Sequence, residues 1–561
     1  MFLPVATAVL LAAPPPADLV VRNARIHTGD PARPAARDLA VRGARLAYVG
    51  PDARAHIGKR TRVVDLRGAF LMPAFHDAHV HPVDAGVEMG QCDLNAAESV
   101  ADILATVEDY RRKHPRKAWI VGSGWSLTAF PGGNPGRDLL DRAVADRPVF
   151  LWSSDGHSAW LNSLALRKAG ITARTQDPPA GRIERDPRSG EPSGTLRETA
   201  MDLASKLLPP ATPGEVRRGL ARAQDILARY GIVSIQEAAA DASELSAYAD
   251  FARRGKLKVR VRAAQDWDDG EPHAVADRVK TLVGYRKAFS GPGFAAAAAK
   301  LFVDGVIEAR TASLLAPYLL DGKPVTGPDA LGKPTYSSDR LDAMVERLDA
   351  AGFQIHLHAI GDGGVRMGLD ALERAARKNG PRDRRPVLAH LQLSDPADLP
   401  RFKALGAVAC IQPYWHYPDE FVTRLTTPFI GAERTARLYP AASLLAAGAR
   451  VAGGSDWSVT TANPLEAIQI AVTRQDPEKA GAILGEGERL TVAQALASYT
   501  QGGAWANFED RDGGVLAAGK WADFVVLDRD PFAVRPHEIG RIAVKWTVRE
   551  GRTTFRRSSH R

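Results

Sequence analysis

Short apolar runs alternate with longer stretches whose apolar residues recur every three or four positions through the middle of the chain. The second kind of spacing predicts helices over residues 99–114, 213–230, 337–351 and 363–378. The first kind predicts strands at 119–122, 149–152, 232–236, 258–262, 299–303, 354–358, 387–390, 407–411 and 451–454. Strand–helix alternation sustained this long predicts a parallel sheet, and a barrel or a doubly wound sheet both satisfy it. The strands, with the one leading into residues 73–82, exceed the eight of a barrel, so one segment should be an excursion. The Gly- and Pro-rich stretch at about 122–215 is the expected insertion, placed near the barrel mouth.

Both ends have a different texture. Residues 18–26, 38–41, 45–50 and 62–66, and again 514–528 and 542–548, alternate apolar and polar positions between Gly and Pro, as small antiparallel sheets do. Chain ends of a domain often lie close together. The expected organisation is therefore a discontinuous β-sandwich from 18–72 plus 512–557 around a (β/α)8 barrel over 73–511.

Composition changes this picture little. At 561 residues the chain is long enough for two or three domains, and 45% hydrophobic with 25% charged residues is ordinary for a globular protein. The net charge of +9 is scattered, with no basic stripe interleaved with aromatics, so nucleic acid is not an expected partner. Cys92 and Cys410 form no CxxC, which argues against a disulfide framework and a thiolate metal site. Residues 1–13 form an apolar run too short to span a bilayer, followed by small residues and prolines. This matches a secretory leader over 1–17, although its positive n-region is missing. A periplasmic or secreted protein without stable membrane insertion is the expectation, with the cytoplasm as the alternative.

The candidate chemistry lies where apolar strands end. A strand-like run at 69–72 leads into PAFHDAHVHP, residues 73–82. On a strand, residues two apart share a face, so His79 and His81 can aim two imidazoles at one divalent ion. Later apolar runs end in Lys300 and Asp304, in His358, in His390 and in Asp456. A barrel active site sits at the C-terminal ends of its strands. By spacing alone, His356 could replace His358.

This order resembles the amidohydrolase superfamily, and more closely amidohydrolase family 3, the YtcJ-like and N-substituted formamide deformylase-like enzymes. The resemblance is carried by GWSLT from Gly124, SDGHSAWLNS from Ser154, GTLRE from Gly194, KLFVDG from Lys300, HAIGD from His358 and GSDW from Gly454. It implies the barrel with its flanking sandwich. It also implies metal ligation by His79, His81, His358, His390 and Asp456, and favours His358 over His356. Lys300 matches the position of a lysine that related enzymes carboxylate; an unmodified ammonium would repel a metal. One or two divalent ions, Zn²⁺ or similar, are expected, with two if Lys300 is a carbamate. The adenosine- and cytosine-deaminase branches carry His-x-x-Glu, which is absent after both His358 and His390.

The implied reaction is hydrolysis of a carbon–nitrogen bond other than a peptide bond, in an N-substituted amide or formamide. Asp456 would shuttle the proton. His157, in the insertion, would polarise the carbonyl, unless it is only a structural loop residue. Trp125, Trp160 and Trp415 are candidate pocket walls, and Asp304 and Asp362 candidate supports for the ligands. Hydrolysis of a cyclic amide, ester or carbamate is the alternative, and a homo-oligomer is compatible. A non-enzymatic scaffold fits poorly with so complete a ligand set.

Overall fold

A computed structural model of the chain describes residues 14–97, 99–268 and 273–558. The apolar run at 1–13, expected as a leader, lies outside them. No helix among the described residues is long and apolar enough to cross a membrane.

The centre is one sheet of eight parallel strands in chain order: β1 (Phe75–Val80), β2 (Ile232–Ala240), β3 (Arg260–Asp266), β4 (Phe294–Phe302), β5 (Gln354–Ala359), β6 (Val387–His390), β7 (Val408–Ile411) and β8 (Arg450–Gly453). β6 and β7 are buried at every position. That is expected of strands covered by helices outside and by side chains within, and it explains why they read as unbroken apolar runs. The helix Pro213–Arg229 shows how the outer layer is specified. Thr212 and Glu215 form a reciprocal capping box, and Pro213 occupies the first turn. Val216, Leu220, Ala223 and Leu227 then make one buried stripe. Each buried leucine contributes ~1.5–3 kcal/mol, so a charge at Leu220 would undo the docking of this helix.

The barrel closes just beyond β8. There the Asp456 N–H donates to the His79 carbonyl at 2.8 Å, and the His81 N–H donates to the Trp457 carbonyl at 2.9 Å. Closure thus brings the last polar strand end against the first. The register does the same for the others: Asp266 pairs with Lys300, Lys300 with His356, and Phe302 with His358.

The run at 69–72 is not part of the barrel strand. Phe70–Pro73 pairs antiparallel with Phe524–Leu527, joining the two ends of the chain in one six-stranded sheet. Only after Ala74 does β1 begin, so His79 lies inside the barrel strand and His81 just past it. Leu71, Leu46, Val526 and Trp546 share an apolar core between this sheet and a four-stranded one from the N-terminal side.

A further six-stranded sheet, from Cys92–Asp93 to Pro192–Glu198, interrupts the barrel between β1 and β2. The insertion expected at about 122–215 is longer at its N-terminal end. It starts near residue 92, because Cys92–Asp93 pairs with Ile120–Trp125. It ends before Pro213, because Pro213–Arg229 is a barrel helix whose Leu220 and Leu227 share the core of β2. Trp125 and Trp160 are fully buried in the core of the excursion, where they stack edge to face, and are not pocket walls.

Candidate metal centre

At the C-terminal ends of the strands lies a cavity of about 670 Å³. His79, His81, Lys300, His358, His390 and Asp456 all line it, as does His157 from the excursion. His79, His390 and Asp456 bring one donor atom each to within 4.8 Å of one another. His81 joins through Asp456, whose Oδ1 lies 3.2 Å from His81 Nε2 and 3.1 Å from His79 Nε2. The His358 ring packs on that of His390 with centroids 4.4 Å apart, and its Nε2 lies 3.2 Å from the Gly305 carbonyl. Lys300 is buried, with Nζ 4.5 Å from the centre of the Phe302 ring.

His356 has a different role from His358. It is fully buried, and its Nε2 lies 2.8 Å from His79 Nδ1. With His79 Nδ1–H as the donor, the lone pair on His79 Nε2 is turned toward Asp456. His79 Nε2 and His390 Nδ1 are both buried without a hydrogen-bond partner. A lone pair 3.1 Å from a carboxylate oxygen repels it unless a cation lies between them, so this donor set fits a divalent ion.

The electrostatics agree. Burial, reinforced by Lys300, takes His79 down to about 3, and burial also lowers His358 and His390 well below the usual imidazole range. These rings are neutral and able to ligate. Burial pushes the Asp456 carboxyl up, but the surrounding imidazoles overcome it and hold the group well below the ordinary value. His81 also resists burial: Asp456 and then Glu237 raise it. Burial lowers Lys300 to about 8 against the pull of Asp456 and Asp266.

Beside His358, His157 Nδ1 meets Glu198 Oε2 at 2.9 Å, and Thr311 Oγ1 donates to Glu198 Oε1 at 2.6 Å. Burial works against a charged imidazole here as well, yet the Glu198 carboxylate lifts His157 to about 9. The His157 ring lies 5.0 Å from that of His358. With Nδ1 engaged by Glu198, Nε2 is the donor left for a ligand in the cavity.

Several supports were not evident from the chain. Glu198 sits in the GTLRE stretch, but nothing local marks it as the partner of His157. Glu237, within β2, has Oε1 3.8 Å from His81 Nδ1 and accepts from Tyr248 Oη at 2.6 Å. Trp415 does line the cavity and stacks on His390 at 5.4 Å. Asp304 accepts the backbone N–H groups of Ser313, Ile360 and Gly361, each at 2.9 Å, tying the loop after β4 to the end of β5. Asp362 accepts from Leu315 N–H at 2.9 Å. Both acids thus hold loops and touch no imidazole by these bonds.

Residues 62–555 match the amidohydrolase family. The chain is 32% identical to the putative amidohydrolase YtcJ of Bacillus subtilis over 516 residues, covering 89% of this chain and 91% of that protein. It is 27% identical to N-substituted formamide deformylase of Arthrobacter pascens over 559 residues, 96% of this chain and 99% of the other. Among solved structures, an uncharacterized metal-dependent hydrolase from Pyrococcus horikoshii superposes with a TM-score of 0.71 at 25% identity, over 92% of this chain and 99% of that one.

Proposed function

The chain belongs to the amidohydrolase family and is a metal-dependent hydrolase; we propose that it cuts the carbon–nitrogen bond of an N-substituted amide or formamide. The observation that carries this reading is the meeting of neutral His79 and His390 with ionised Asp456 in the cavity that a cationic His157 also lines. The likeness to N-substituted formamide deformylase over nearly the whole chain supports the substrate class.

His79, His81, His390, His358 and Asp456 would hold the ion, proposed as Zn²⁺. When bound, such an ion supplies a Lewis acid that acidifies water to near neutral pH and polarises a carbonyl. Asp456 accepts the proton of the attacking water at a carboxylate oxygen and returns it to the departing nitrogen. His157 donates Nε2–H to the oxygen that gains charge, and Glu198 keeps that imidazole cationic and oriented. His356 holds His79 by its other nitrogen. Lys300 as a carbamate would add an anionic oxygen pair and room for a second ion, and its lowered pKa leaves unprotonated amine available for carboxylation.

The test is turnover of a panel of N-alkyl formamides, N-acyl amines, cyclic amides and esters by the metal-loaded protein. Ninhydrin-detected amine should appear from the first two classes and vanish after chelation. Ester turnover with no amine released from any amide would overturn the substrate assignment.

A further inference from the structure

The cavity lining is rich in acidic side chains, the reverse of the chain as a whole. The chain carries 74 Lys and Arg and a net charge of +9. Yet among the described residues only Lys300 and Lys333 bring positive side chains of that kind to the cavity, and no arginine lines it. Carboxylates line it from every side. Some have evident structural work: Asp304 holds backbone N–H groups, Glu198 pairs with His157, and Glu308 accepts from Gln392 at 2.7 Å. Others have none.

The clearest case is the short helix α1 (Pro82–Glu88), directly after β1. Asp84 and Glu88 are four residues apart, so they share one face of α1, and both line the cavity. Among the described residues, neither forms an ion pair with a lysine or arginine; Glu88 accepts only from Ser458 Oγ. Their direction is fixed by the opposite face. A Cβ on Gly86 would lie 2.1 Å from the Gly219 carbonyl oxygen, so α1 presses backbone to backbone on Pro213–Arg229 and cannot turn its acidic face away. A second cavity of about 380 Å³ continues past Glu88, sharing Tyr414 and Ser458 and adding Asp93.

An independent sign of a ligand is Tyr336. It is 8% exposed, lines the main cavity, and its hydroxyl has no hydrogen-bond partner. Tyr414 and Trp415 supply aromatic surface to the same space. Carboxylates facing aromatic rings are a setting for an alkylammonium group. His157, and a divalent ion once held by the neutral imidazoles, would bring positive charge to the strand ends, whereas α1, directly after β1, brings carboxylates to the same cavity.

We propose that the substrate is a cationic amide, an N-acyl or N-formyl compound bearing an ammonium or quaternary ammonium group that the Asp84–Glu88 face of α1 receives. This rests on the hydrolase reading for the acyl end and on the cavity wall for the charged end. Burial, countered by the Ser458 hydrogen bond but reinforced by the like charge of Asp84, raises Glu88 to about 7, and a bound cation would relieve that repulsion.

The test uses the metal-loaded full chain and two pairs of isosteric probes. The inert pair is 3-(trimethylammonio)propan-1-ol and 4,4-dimethylpentan-1-ol, compared by calorimetry. The reactive pair is the corresponding N-substituted formamides, compared by kcat/KM. The cationic alcohol should bind at least ~10-fold tighter than the neutral one, and the preference should weaken with salt. In Asp84→Asn/Glu88→Gln the ratio should fall to within ~3-fold, with neutral binding unchanged; Glu88→Gln alone provides a second reading if the double variant folds poorly. Equal binding of the two alcohols, or a preference that survives in the variants, overturns the proposal. Cation-selective binding with no turnover of either formamide sinks the hydrolase reading alone. Equal turnover of both formamides with equal binding sinks the cation reading alone.

Discussion

Replacing Glu198 with Gln keeps the shape of the His157 partner and removes its charge. The native imidazole is lifted from 6.5 to about 9 in spite of burial, chiefly by the Glu198 carboxylate at 2.9 Å. Side-chain exposures of 16% and 14% leave little solvent screening between the two. A raised pKa stabilises the fold fully below the unfolded value near 6.5, and that stabilisation is lost as pH rises through about 9. At 1.36 kcal/mol per pKa unit, the contribution at low pH is about 3 kcal/mol. In Glu198→Gln, burial dominates and His157 is neutral at pH 8. Urea unfolding should therefore show a deficit of up to about 3 kcal/mol at pH 6–7 that shrinks toward zero by pH 10. The kcat/KM for a formamide should drop ~10²-fold at pH 8, and the alkaline limb near 9 should disappear. A stability deficit independent of pH, together with an unaltered rate profile, would refute the assignment of His157 as a cation.

Three other substitutions probe the supports. Asp304→Ala strips the acceptor from three backbone donors and should cost ~3–6 kcal/mol in urea unfolding; a loss below 1 kcal/mol would mean water replaces the carboxylate. His356→Ala frees His79 Nδ1 and should weaken metal binding ~10–100-fold in a chelator competition while saturating metal still binds; complete loss of metal would make His356 a ligand instead. Gly86→Ala places a methyl against the Gly219 carbonyl and should destabilise the protein by ~1–3 kcal/mol, with α1 displaced and cation selectivity reduced; an unchanged melting curve would show that α1 has slack.

The barrel was legible because its strands are buried on both faces and end in groups that apolar strands do not otherwise carry. His358, His390 and Asp456 stand out against Val387–Ala389 or Ala452–Gly454 without any structure. The start of the excursion was not legible. Cys92–Asp93 is only two residues long, and its partner strand 120–125 has the same apolar texture as a barrel strand. Trp125 and Trp160 were ambiguous because aromatic bulk suits a pocket wall and a domain core alike. Glu198 and Glu237 could not be assigned from the chain, since a carboxylate acquires its role from the imidazole that folding brings to it across 41 or 156 residues. The acidic wall of the cavity was hidden for the same reason, inside a chain whose overall charge is positive.

Hydrolysis is proposed to depend on a divalent ion held by the imidazoles and Asp456. Elemental analysis of the purified protein, paired with formamide turnover in wild type and in Asp456→Asn, tests it most directly. The wild type should hold at least one divalent ion per chain and lose turnover on chelation, with recovery on adding Zn²⁺, and the Asp456→Asn protein should keep most of its metal but turn over no substrate. Full turnover by metal-free protein, or near-wild-type rates in Asp456→Asn, would contradict this.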